Sequence, residues 1–203
     1  RNAPQPSPRS SANSPPHAPM PDLLRFPSLS SLDGVRHGFA AADAFGAFDA
    51  RREGDIARLA EAVAPRARAM RTRQTHSARV RWIEAGDARF GPEDLELGVD
   101  GLATADPELA LVALGADCPM LFLADPARRA IAVVHCGWRG VALGIVDTAL
   151  DLLAERAGSV PAALSAALAP GARGCCYEVG GEVFEALARA GIPLERAARP
   201  YLH

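Results

Sequence analysis

Residues 115–140, GADCPMLFLADPARRAIAVVHCGWRG, place reactive side chains at the boundaries of two apolar runs. Asp117 and Cys118 close one run, and His135 and Cys136 close the next, in a chain with only 4 cysteines and 5 histidines. Thiols and imidazoles are the side chains that serve as nucleophiles, proton carriers and transition-metal ligands. Successive strand residues face opposite ways, so His135 and Cys136 divide into one ligand or catalyst and one small core residue. Cys118 precedes Pro119, which holds it extended and leaves its sulfur at the end of a run. His76 lies in the polar stretch RQTHSARV with no core role in view, and Gln74 shares its face. Together His76, Cys118 and His135 supply three N/S donors, a set that suits zinc with its fourth position open. The same residues also allow a metal-free Cys118–His135 nucleophilic pair, a closed site recruiting Cys175 or Cys176, or plain packing.

Several neighbours could complete a site. Asp117, beside the cysteine, is placed to orient a ligand or handle a proton, or else to accept backbone N–H groups while buried. Asp100, in VDGLAT, reads as a turn residue more than a catalyst. Arg139 follows His135 where a helix begins, and there the guanidinium and free N–H groups could hold phosphate or carboxylate; a solvated first-turn arginine fits the same position. Tyr177 and Glu178 either close a pocket or cap the helix after them.

The elements that must position these groups are short. EGDIARLAEAVAP, from residue 53, has helical spacing and stops at Pro65. RTRQTHSARVRWIE, residues 71–84, alternates and reads as extended. VDGLATA, LALVALGADC, MLFLAD and AIAVVHC are apolar runs punctuated by Gly, Pro and Asp, the pattern of strands. Ala142, Ile145, Val146, Ala149, Leu150 and Leu153 form one stripe of an amphipathic helix. A further strand is expected near 163–169, and a helix to about Ala190. Strands interleaved with helices give an α/β or mixed layered fold.

Composition sets outer limits. The chain has 203 residues, 49% apolar and 23% charged, with net charge −2, which argues against a general nucleic-acid binder. Its 22 basic residues are all arginine, so lysine nucleophiles and Schiff bases are excluded. No apolar run reaches the ~18–20 residues of a membrane span, and no secretory signal is visible. Four cysteines in this length are not a disulfide framework, which points to a reducing cytoplasm. Residues 1–22 hold 7 of the 17 prolines and are read as a disordered tail, with Met20 as the natural start and 23–203 as one domain. Oligomeric state is not written in any pattern.

The motifs QTHSARV, DGLAT, ADCPMLFLADP, AVVHCGWRG and APGARGCCYEVGGEV, in this order and spacing, resemble the YfiH family. This is the laccase-like group once called multicopper polyphenol oxidases and now regarded as zinc-dependent purine nucleoside enzymes. The resemblance covers about residues 74–190. It implies a mixed-sheet layered α/β fold and a zinc site carried by His76, Cys118 and His135. It also implies phosphorolysis of adenosine, inosine, guanosine and methylthioadenosine, or adenosine deamination, with purine nucleoside and phosphate as partners. Some members are linked instead to peptidoglycan-precursor editing. Gln74, Arg139 and Tyr177 become candidate substrate contacts, and Asp117 and Arg139 candidate catalytic groups. A copper oxidase fits less well, because few histidines leave several copper ions without ligands. Two departures stand out. Only Arg36–Phe39 survives of an early family segment, and the chain stops at RPYLH where relatives continue, which reads as truncation. Both leave room for a degenerate member that binds zinc or nucleoside without turnover.

Overall fold

Strand register decides which chain ends meet in this protein. The structure, a computed structural model, describes residues 22–41, 53–84, 86–87 and 98–194. The Pro-rich tail up to Pro21, the 42–52 segment and the closing RPYLH lie outside those residues. Five strands form one mixed sheet in the order β2 (Val80–Trp82), β3 (Gly101–Thr104), β6 (Ala130–His135), β5 (Met120–Asp125), β7 (Ser165–Leu168). Only β2 and β3 run parallel; the other neighbours are antiparallel. A second sheet pairs β1 (Arg68–Arg71) with β4 (Leu109–Val112) in parallel.

Helices cover these sheets in layers. Helix α4 (Ile145–Ala157) lays Ile145, Ala149 and Leu153 on Ala103, Leu123, Ala132 and Val134 of the large sheet. Burying an Ile or Leu in such a position contributes about 1.5–3 kcal/mol. On the opposite face, Leu102 and Val133 pack with Met70 and Leu109 of the small sheet. The small sheet is backed in turn by Ile56 and Ala60 of α2 (Glu53–Val63). Short α1 (Pro27–Ser30) packs Leu29 against Ala124 and Ala167. The result is the layered mixed α/β arrangement expected from the sequence. Among the described residues, no helix is long and apolar enough to cross a membrane.

Three local readings change. Residues 71–84 do not run as one extended segment: β1 ends at Arg71 and β2 starts at Val80. Between them, the amides of residues 75–77 turn to a side chain instead of a neighbouring strand. Cys118 does not close a strand either. β4 ends at Val112, and Cys118 lies in the bend that leads into β5. Finally, the apolar stripe that begins at Ala142 is split between α3 (Trp138–Ala142) and α4, because Gly144 takes φ +82° and breaks the helical ladder. The stripe still faces inward, with α5 (Gly181–Arg189) following later as expected.

The retained Arg36–Phe39 segment is tied to the chain before it. Leu24 and Phe39 exchange backbone hydrogen bonds of 2.9 and 3.0 Å. The Phe26 N–H donates to His37 Nε2 at 2.7 Å, and the two rings stack at 5.7 Å between centroids. His37 is buried; burial first, and then the nearby Arg25 charge, hold its pKa below the ordinary value. A histidine whose folded pKa is depressed stabilises the fold above its unfolded pKa and withdraws that support as pH falls. We therefore expect urea unfolding from about pH 7.5 to about pH 5.5 to show a larger loss of stability in wild type than in His37→Gln, which keeps an acceptor but cannot titrate. Equal losses would contradict this.

Candidate metal centre

The antiparallel register brings distant residues to one end of the large sheet. Met120, the first residue of β5, pairs with His135, the last of β6. The chain entering β5 through Cys118–Pro119 and the chain leaving β6 through Cys136–Gly137 therefore lie side by side, and Cys136 N–H donates to Pro119 O at 2.9 Å. On the other side of β6, His135 N–H donates to Asp100 O at 2.7 Å, just ahead of β3. The residues ahead of β2 complete the group with His76. Thus only His135 sits at the carboxyl end of a strand; the other groups precede strand starts, as a mixed sheet permits.

His76, Cys118 and His135 come together with one ligand atom each, all within 4.8 Å of one another. Cys118 Sγ lies 3.9 Å from His76 Nε2. That is near the ~3.6 Å edge of a tetrahedron with Zn–N of about 2.0–2.1 Å and Zn–S of about 2.3 Å. The two imidazoles meet edge to face, with centroids 4.9 Å apart. His135 is buried, and Cys118 is half-buried.

Asp100 organises this group, a role the sequence did not reveal. Its side chain is 1% exposed. Oδ1 accepts from His135 Nδ1 at 2.8 Å and from the His76 amide at 2.9 Å. Oδ2 accepts from the Thr75 and Ser77 amides at 3.1 and 2.7 Å, and from the Ser77 hydroxyl at 2.7 Å. Burial alone would raise the Asp100 pKa. Hydrogen bonds from His135, Ser77 and Thr75 outweigh it and hold the carboxyl below its usual value. A carboxylate can only accept, so His135 carries its proton on Nδ1 and keeps the Nε2 lone pair for a metal. His76 pays for its placement with a left-handed backbone, φ +62°, a region that histidine enters more readily than most residues.

Two glycines make room for that turn. A Cβ at residue 137 would stand 2.5 Å from His76 Cδ2 and 3.4 Å from Cys118 Sγ, in the cradle the ligands share. One at residue 140 would stand 2.6 Å from Ser77 O.

The remaining candidates are distributed around this centre. Cys136 packs against the α4 core, and burial pushes its thiol up to about 11. It is the core member of the His-Cys pair. Asp117 is exposed, and among the described residues no backbone N–H reaches its carboxylate, while its carbonyl accepts the Ala172 amide at 2.7 Å. Gln74 clamps Leu114: its Oε1 accepts the Leu114 amide at 2.7 Å and its Nε2 donates to the Leu114 carbonyl. A substrate contact through Gln74 would compete with that clamp. Arg139 is exposed, with its guanidinium 4.2 Å above the Trp138 ring. Tyr177 lies at the surface in the turn closed on Arg173, and Cys175 and Cys176 are exposed and free. Burial, then the charges of Asp117 and Asp100, raise the Cys118 thiol above its ordinary pKa. A metal-free thiol hydrolase needs the opposite shift.

The donor set suits zinc. Two imidazole nitrogens and one thiolate are borderline-soft ligands. A divalent cation that displaced the Cys118 proton would balance the two negative charges of the resulting thiolate and the buried Asp100.

Residues 37–201 match the family model described as multi-copper polyphenol oxidoreductase laccase. The chain belongs to that family. This is the YfiH group its motifs resemble, and its relatives carry names of different chemistry. The purine nucleoside phosphorylase SCO2081 of Streptomyces coelicolor is 38% identical over 142 residues, 70% of this chain and 55% of that protein. Adenosine deaminase RL5, from an unknown prokaryotic organism, is 36% identical over 128 residues, 60% of this chain and 47% of that protein. The crystal structure of YlmD from Geobacillus stearothermophilus aligns with a TM-score of 0.62 at 28% identity, over 73% of this chain and 58% of that one. This laccase-family chain thus spans about half the length of the curated relatives it matches.

The cradle yields a direct prediction. Gly137→Ala should displace the His76 ring, weakening zinc binding by about 10-fold or more while circular dichroism stays that of wild type. Titration against a chromophoric chelator reads this, and wild-type affinity in the variant would contradict it.

Proposed function

We propose that this chain carries the zinc centre of a cytoplasmic purine nucleoside enzyme. Its reactions would be phosphorolysis of adenosine, inosine, guanosine or methylthioadenosine, or deamination of adenosine. The observation that carries the reading is the His76–Cys118–His135 group, whose ligand atoms lie within 4.8 Å of one another around a glycine cradle. The names of the relatives, purine nucleoside phosphorylase and adenosine deaminase, supply the substrate class. A bound zinc ion would supply Lewis acidity toward an oxygen nucleophile or a substrate oxygen.

The chain's own residues take the other roles. Asp100 holds His135 with Nδ1 protonated and fixes the His76 turn. Arg139, exposed at the start of α3 and braced by Trp138, is the group for the phosphate. Asp117, exposed next to Cys118, would carry a proton between site and solvent. Gln74 secures the chain ahead of His76 through Leu114, and Tyr177, at the surface, would contact the substrate.

Metal analysis by inductively coupled plasma mass spectrometry, followed by adenosine incubations, tests this. We expect about one zinc per chain, lost in His76→Ala, as a three-ligand catalytic site implies. We also expect adenine and ribose phosphate when phosphate is present, or inosine when it is absent. Folded protein that stays metal-free after zinc is supplied would overturn the metal centre. Zinc-loaded protein that leaves adenosine intact under both conditions would overturn the nucleoside assignment.

A further inference from the structure

The five donors around Asp100 restrict what can stand in its place. Oδ1 faces the His135 Nδ1–H and the His76 amide; Oδ2 faces two more amides and the Ser77 hydroxyl. The three amides can only donate. We propose that Asp100 is the positioning residue that prepares both histidine ligands at once, through the ring tautomer of His135 and the backbone of His76. The proposal deepens the metal reading above and rests on it for the role of the two histidines.

An uncharged isostere shows why the carboxylate is needed. Asparagine offers one accepting oxygen and one amide nitrogen that only donates. If that nitrogen lies on the His135 side, it opposes the His76 amide and donates to His135 Nδ1. His135 then holds its proton on Nε2 and loses the lone pair a metal requires. If the nitrogen lies on the other side, it faces the Thr75 and Ser77 amides, donor against donor. The 75–77 turn is then released, and His76, held at φ +62° within it, moves away. Either orientation removes one histidine ligand while no apolar core contact is lost. The two hydrogen-bonding arms reach 24 and 35 residues along the chain, so one side chain couples ligands from separate segments.

The test combines imidazole nitrogen NMR of metal-free, 15N-labelled protein with zinc competition against a chromophoric chelator. In wild type, His135 should be the Nδ1–H tautomer. In Asp100→Asn, either His135 switches to Nε2–H or the His76 ring shifts to solvent-averaged values, and zinc affinity drops about 10–100-fold. Ser77→Ala, which removes one donor of five, should keep the tautomer and cost only about 2–5-fold in affinity. A wild-type His135 protonated on Nε2 overturns the proposal. So does Asp100→Asn that keeps both the wild-type tautomer and wild-type affinity. If Asp100→Asn fails to fold, the wild-type tautomer and Ser77→Ala decide. Wild-type protein with the Nδ1–H tautomer that takes up no zinc overturns the metal reading alone, and upholds the positioning of His135.

Discussion

A carboxylate with 1% of its surface exposed must find donors inside the protein, because an unmatched buried charge costs several kcal/mol. Asp100 finds five, and meeting that demand shapes everything around it. Three consecutive residues give up strand pairing so that their amides can converge on one side chain. His76 accepts a left-handed backbone as the geometric consequence. The turn then sits so close to the chain leaving β6 that residues 137 and 140 have no space for a side chain.

The sheet supplies the other half of the arrangement. Because β5 and β6 pair with Met120 opposite His135, the bend holding Cys118 and the end of β6 reach the same place. β6 also neighbours β3, which puts Asp100 beside His135 through a backbone hydrogen bond as well as a side-chain one. The ligands therefore come from three separate segments, each anchored to a strand of one sheet whose faces are sealed by α4 and by the small sheet. Rigid elements of this kind hold ligand geometry more closely than free loops do.

The sequence displayed the donors but concealed what aims them. His76, Cys118 and His135 stand out because thiol and imidazole are scarce in this chain. The strands are legible because short apolar runs are bounded by Gly, Pro and Asp. Asp100 reads as a turn residue since nothing local marks it; its partners are contributed by residues 23 to 35 positions away. The loop over residues 72–79 looked extended for the same reason, as its alternation carries no trace of a distant carboxylate. Gly144 split the expected helix where the stripe pattern alone favours continuity, and the stripe from Ile145 to Leu153 survived because it packs on the sheet.

The family description speaks of copper and the relatives' names of purine nucleosides; what this chain itself presents is a set of donors. Those donors are two nitrogens and one sulfur. X-ray absorption at the zinc edge of zinc-loaded protein tests that set most directly. One sulfur at about 2.3 Å is expected, with nitrogen or oxygen neighbours at about 2.0–2.1 Å. A zinc shell with no sulfur, or with two or more, would contradict it.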